Sequence, residues 1–187
     1  MGKSAYDMVL SAIGATLIVI GSMISVNIFA VPFTLQTMAI FIVLMSIGGK
    51  RGSISILVYL LLGAVGIPVF AGFKGGPAVL MGPTGGFLIG FIFVGLIWWL
   101  LADRLISKAG SKAWLRIVLR IVMAAVCEVV MYAFGVVWFM TVYASQTGPI
   151  GLSSALTMCV IPFIIPDIVK IVVAASASEA CGKVVKD

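Results

Sequence analysis

Apolar residues run along this chain in stretches too long for the core of a soluble domain. From Met8 to Gly49 there is no Asp, Glu, Lys or Arg. A helix needs about 20 mostly apolar residues to cross the hydrocarbon of a bilayer, so this stretch holds two spans. Proline disfavours helix at the residue before it, which makes Ala30-Val31-Pro32 a natural turn between them. The pattern predicts helices over residues 8–29 and 33–47. Gly48-Gly49-Lys50-Arg51-Gly52 is a polar turn, and a third run follows over 54–69. The Gly/Pro-rich segment Ala71–Gly86 leads to a fourth run, 87–101, which stops at Asp103-Arg104. A basic connector with Lys108, Lys112, Arg116 and Arg120 precedes the fifth run, 121–143. The turn Gln146–Gly151 precedes the sixth, 152–178. The expected fold is an all-α integral membrane protein: a single membrane domain, 1–187, with six transmembrane helices.

Six spans place both termini on one side of the membrane. With the N-terminus in the cytoplasm, the inner segments hold Lys3, Lys50, Arg51, Arg104, Lys108, Lys112, Arg116, Lys183 and Lys186, with Arg120 at the boundary. The outer segments hold only Lys74. This asymmetry obeys the positive-inside rule and predicts cytoplasmic termini in a cell membrane. It also assigns the net charge of +6 to topology and to attraction toward anionic membrane lipid. Nucleic acid is not an expected partner.

Composition agrees. Apolar residues make up 63% of the chain and charged residues 10%, with a mean hydropathy of +1.29. Soluble domains carry roughly 45–50% and about 25% respectively, which excludes a soluble enzyme. Histidine is absent, so every His-dependent triad or metal site is excluded, and no metal or cofactor is expected. Cys127, Cys159 and Cys181 lie in apolar surroundings and read as packing residues. Gly48–Ser53 lacks the spacing of a phosphate-binding loop. No cleavable signal stands apart from the first helix, and no myristoylation pattern follows Met1-Gly2.

A charge near mid-bilayer costs several kcal/mol and needs a partner or a job. Asp167 and Lys170 share one face of the last helix, three residues apart. They read either as an ion pair that cancels itself or as a polar site with an acceptor beside a donor. At about 1.5 Å per residue from Ser178, Asp167 lies roughly 16 Å up the helix. Pro162 and Pro166 precede it, and broken helix within a membrane is tolerated where it lines a cavity. Glu128 is either a buried structural acid, or one that reaches Arg120, or a functional group; Tyr132 is one turn on, on the same face. The segment Gly66–Gly86 is Gly/Pro-rich yet still apolar, which predicts a lid folded back over a cavity at the external side. Small residues four apart recur in the first helix, Ser11/Ala15 and Ala12/Thr16. Such stripes admit close helix packing, within the bundle or against a second subunit. An intramembrane enzyme built on Glu128, Asp167 and Lys170 is disfavoured because no Ser or Cys nucleophile stands beside a base. A channel would need polar lining along several helices, and none is visible.

Several motifs together resemble the BioY family, the biotin-specific S components of energy-coupling-factor (ECF) transporters. They are Val31–Thr37 (VPFTLQT), Gly63–Gly75 (GAVGIPVFAGFKG), Gly82–Phe91 (GPTGGFLIGF), Tyr132–Trp138 and Pro166–Lys170 (PDIVK). The resemblance runs from about Ser11 to Ala175. It implies a six-helix binder with its pocket near the external face, which takes up biotin together with a transmembrane T component and two cytoplasmic ATPases and is not itself an enzyme. The ureido group of biotin offers two N–H donors beside a carbonyl, which suit Asp167 and Lys170. Its carboxylate needs a donor, and Thr34, Gln36 and the amides of Gly75 and Gly76 are candidates; the reversed orientation, with Lys170 on the carboxylate, is the alternative. Tyr132 and the Thr84-Gly85 motif complete the expected substrate site; Ser11, Ala12, Ala15 and Thr16 form the expected docking face. An S component for another vitamin is the alternative. This chain departs from the family at Pro166, where Gly usually precedes the Asp, and in the first helix, where Ala-x-x-x-Ala is usual.

Overall fold

A computed structural model describes residues 3–26, 31–110 and 112–184. Among these, α1 (Lys3–Met23) leads into a minimal hairpin of β1 (Ser25–Val26) and β2 (Phe33–Thr34), with Ser25 opposite Thr34 and Val26 opposite Phe33. Then follow α2 (Gln36–Ile47), α3 (Gly49–Ala64), the short α4 (Pro77–Leu80) and α5 (Gly85–Ile97). A π-helical turn, Trp98–Ala102, continues α5 into α6 (Asp103–Ser107), and α7 (Ala113–Thr147), α8 (Leu152–Cys159) and α9 (Ile161–Val184) complete the bundle. Among the described residues, four segments are long and apolar enough to cross a bilayer: Ser4–Met23, Gly85–Ser107, Ala113–Gln146 and Ile161–Glu179.

The helix limits differ from the expected runs for local reasons. The first helix ends at Met23, six residues early, because the chain turns into the β1–β2 pairing. Ala30, in the expected turn, and the expected helix end at Phe29 lie outside the described residues. The third helix begins at Gly49, whose amide donates to Asp103 Oδ2 at 2.7 Å. It ends before Gly66, which turns the chain with φ +105°. The fifth helix takes in the second half of the basic connector. Arg116 and Arg120 are one turn apart and both bind Glu179 of α9, Arg120 at 2.6 Å, so their charges are matched rather than left facing lipid. The sixth run is two helices, broken at Val160. Pro162 has no N–H and crowds the carbonyl one turn back, whereas Pro166 is accommodated inside α9. The side chains of Lys183 and Cys181, and all of Lys186, lie outside the described set.

Large apolar side chains fill the centre. Trp98 packs 6.1 Å from Phe41, and Tyr59 meets Phe70 edge-on at 5.4 Å, all four fully buried. That last contact anchors the segment between α3 and α5. The Phe70 ring lies where a Cβ on Gly63 would be, 2.0 Å from its position. The Gly76 amide donates to Gly63 O at 2.7 Å, and Phe70 and Lys74 exchange backbone bonds across a tight loop. At its far end Trp138 Nε1 donates to Gly82 O at 3.0 Å. The Gly/Pro-rich segment is therefore pinned to α3 on one side and α7 on the other.

Candidate functional site

α9 carries Asp167 and Lys170 on one face, and both are buried, 5% and 6% exposed. Lys170 Nζ donates to Asp167 Oδ1 at 2.8 Å and sits 4.2 Å above the centre of the Phe33 ring. From α7, the Tyr132 hydroxyl donates to Asp167 Oδ2. From α2, Thr37 Oγ1 lies 3.4 Å from Asp167 Oδ1. Three elements thus converge on one carboxylate. The ammonium has two further N–H groups, one face of it resting on an aromatic ring.

These groups border a cavity of about 480 Å³, within the range of small-molecule sites. Thr34, Gln36, Tyr132 and Thr84 line it together with Asp167 and Lys170. The pair therefore does not merely cancel itself in solid packing; it faces open space. Gln36 is 4% exposed, and among the described residues its Nε2 has no hydrogen-bond partner. An unpaired buried donor is costly unless something else takes the bond. Phe70, Phe87, Leu88, Phe91 and Phe163 supply apolar wall.

Three expected contacts fall elsewhere. Gly75, Gly76 and Gly85 do not border the cavity. The Gly76 amide is spent on Gly63 O and the Gly85 amide on Gly82 O, at 2.7 and 3.0 Å. A Cβ at Gly75 would lie 2.4 Å from Ile67 O, and one at Gly85 1.7 Å from Leu80 O. At Gly75 and Gly85 the glycine lets neighbouring backbone approach closely. Lys74, expected only as a cation at the loop tip, lines the cavity instead. Its signal was present in the sequence: it is the one charge in a Gly/Pro-rich apolar segment.

The two small-residue stripes of α1 separate. Ser11 and Ala15 are buried within the bundle, each 4% exposed, where Ser55 Oγ donates to Ser11 O at 2.9 Å. They are not available to a second subunit. Ala12 and Thr16 are exposed. Glu128 does not reach Arg120, whose partners are Glu179 and Ser178; it is buried on the Asp167 side of α7. Cys127 and Cys159 are buried free thiols.

Comparison with known proteins bears on what this cavity is for. The profile of the BioY family matches residues 1–187. The chain belongs to the BioY family. It is 38% identical over 170 residues to the biotin transporter BioY of Thermotoga maritima, covering 90% of this chain and 91% of the relative. It is 35% identical to the BioY of Rhizobium etli, over 95% and 93% of the two chains. A crystal structure of the S-component for biotin from an ECF-type ABC transporter superposes with a TM-score of 0.79 at 25% identity, covering 98% of this chain and 95% of that one. BioY relatives are transporters rather than enzymes, and this BioY-family chain is accordingly a multi-pass membrane protein.

Proposed function

We propose that this chain is the S component of an ECF-type transporter and that it captures biotin in the 480 Å³ cavity. The carrying observation is the buried Asp167–Lys170 pair, which borders open space in a chain of the BioY family. Asp167 accepts the ureido N–H groups and Lys170 donates to the ureido carbonyl. Charge-assisted bonds made inside an apolar wall discriminate strongly, because an analogue without the ureido group strands buried charges. The thiophane ring and valeryl chain lie against Phe87, Leu88 and Phe91. The carboxylate is met by Lys74, Gln36 and the hydroxyls of Thr34 and Thr84.

The chain crosses the membrane six times, by α1, α2, α3, the α5–α6 unit, α7 and the α8–α9 pair. Both termini are cytoplasmic, as the Lys and Arg distribution requires. The segment 65–84 caps the outer end of the cavity. Uptake needs a transmembrane T component and two cytoplasmic ATPases, since nothing in this sequence has the spacing to bind a nucleotide. The exposed Ala12/Thr16 stripe on α1 is the docking face.

Native mass spectrometry of the purified chain tests the ligand. Retention of a mass matching biotin, displaced by added biotin and not by other vitamins, is the expected result. Retention of a different vitamin identifies an S component of other specificity.

A further inference from the structure

A second cavity, of about 660 Å³, lies on the other side of Asp167, between α7, α8 and α9. Its wall is apolar except at one end, where Glu128, Tyr132 and Asp167 meet. Tyr132 and Asp167 border both cavities. Glu128 is 5% exposed; among the described residues no N–H or O–H group donates to either of its carboxyl oxygens, and its carboxyl lies beside that of Asp167. It stands one turn before Tyr132 on α7 and is close enough to Asp167 and Tyr132 to interact electrostatically with both.

The site as it stands has a conflict. Tyr132 donates to Asp167 Oδ2, and Lys170 and Thr37 address Oδ1. A carboxylate offers about four acceptor positions, and Lys170, Thr37 and Tyr132 already occupy it, so accepting both ureido N–H groups displaces the phenol. A displaced hydroxyl with no partner in an apolar wall would offset much of what the ligand gains. A carboxyl oxygen one turn away, to which no N–H or O–H group among the described residues donates as the site stands, removes that penalty. A carboxyl accepts a hydrogen bond in either protonation state.

We infer that Glu128 is a positioning residue, the acceptor that receives the Tyr132 hydroxyl when a ligand N–H takes Asp167. The inference rests on the proposed biotin site. Binding exchanges one hydrogen bond for another, and the phenol pivots between the two cavities.

The test is a double-mutant cycle on the full chain, with biotin affinity read by calorimetry. Glu128→Met removes the acceptor at similar volume; Glu128→Gln keeps a carbonyl oxygen. Each is measured with Tyr132 intact and with Tyr132→Phe. Glu128→Met weakens biotin about tenfold when Tyr132 is present and less than twofold with Tyr132→Phe, and Glu128→Gln stays within about threefold. Equal losses in both backgrounds, no loss at all, or a Glu128→Gln loss as large as that of Glu128→Met overturns the inference. Isotope-edited infrared spectroscopy of the unmutated chain decides the matter if Glu128→Met does not fold. Glu128 and Glu179 are the only glutamates, so side-chain ¹³C-glutamate labelling, with Glu179→Gln for assignment, isolates the Glu128 carboxyl band. Biotin shifts that band; an unmoved band overturns the inference. If Asp167→Asn leaves biotin affinity intact, the site reading itself has failed. If Asp167→Asn abolishes binding while the cycle shows no coupling, only the role of Glu128 has failed.

Discussion

Tyr132 and Asp167 lie 35 positions apart in the chain, on different helices, and the phenol of one is hydrogen-bonded to the carboxylate of the other. This bond joins α7 to α9 at the cavity wall. Lys170 adds a bond along α9, and Thr37 approaches from α2.

Removing the charge from either half of the pair should cripple capture. Asp167→Asn and Lys170→Ala are each expected to weaken biotin by at least tenfold, about 1.4 kcal/mol or more. Isothermal titration of the purified variants measures this, and parental affinity in both would refute the site.

Lys74 should report on the acid end of the ligand alone. Lys74→Gln is expected to lower affinity for biotin several-fold and to leave affinity for an uncharged biotin amide nearly unchanged. Parallel titrations with the two ligands check it, and equal losses would place the carboxylate elsewhere.

The anchoring of the 65–76 segment depends on a missing side chain. At Gly63→Ala the new Cβ meets the Phe70 ring at 2.0 Å, and overpacking of this kind costs typically 1–3 kcal/mol. The variant should melt earlier than the parent and bind biotin more weakly, because Phe70 also lines the cavity. Thermal unfolding with and without biotin measures both effects.

The α1 stripes should separate folding from assembly. Ala15→Leu enlarges a residue that is 4% exposed inside the bundle and is expected to lower stability. Ala12→Leu points outward and is expected to leave biotin binding intact while weakening co-purification with a T component and ATPases. Pull-down of the assembled transporter distinguishes them.

Glu179 offers a control remote from the ligand. Glu179→Gln leaves Arg116 and Arg120 without their carboxylate. It should destabilise by about 1 kcal/mol, as expected for a partly exposed network, with biotin affinity unchanged. A matching loss of affinity would mean that the inner ends of α7 and α9 control the cavity.

Local pattern carried some of this and topology the rest. Asp167 and Lys170 were legible because three residues along a helix fix a shared face, whatever surrounds it. Glu128 and Tyr132 were paired by the same spacing, but their target was not visible, because it arrives from another helix. Lys74 could be seen as an isolated charge, yet only the pinning of its loop by Gly63, Phe70 and Trp138 turns it inward. The α1 stripes both satisfied the small-residue pattern, and spacing alone cannot say which one faces the bundle. The helical connector before residue 121 is not legible locally, because a run of Arg and Lys reads as solvated until Glu179, far along the chain, matches two of its charges.

The partition between the two hollows is thin. One phenol and one carboxylate form the shared polar boundary between a chamber open to a vitamin and a greasy recess beside it. A guest that engages either of these two groups from one hollow therefore acts on the lining of the other as well, so the recess and the chamber cannot be altered independently.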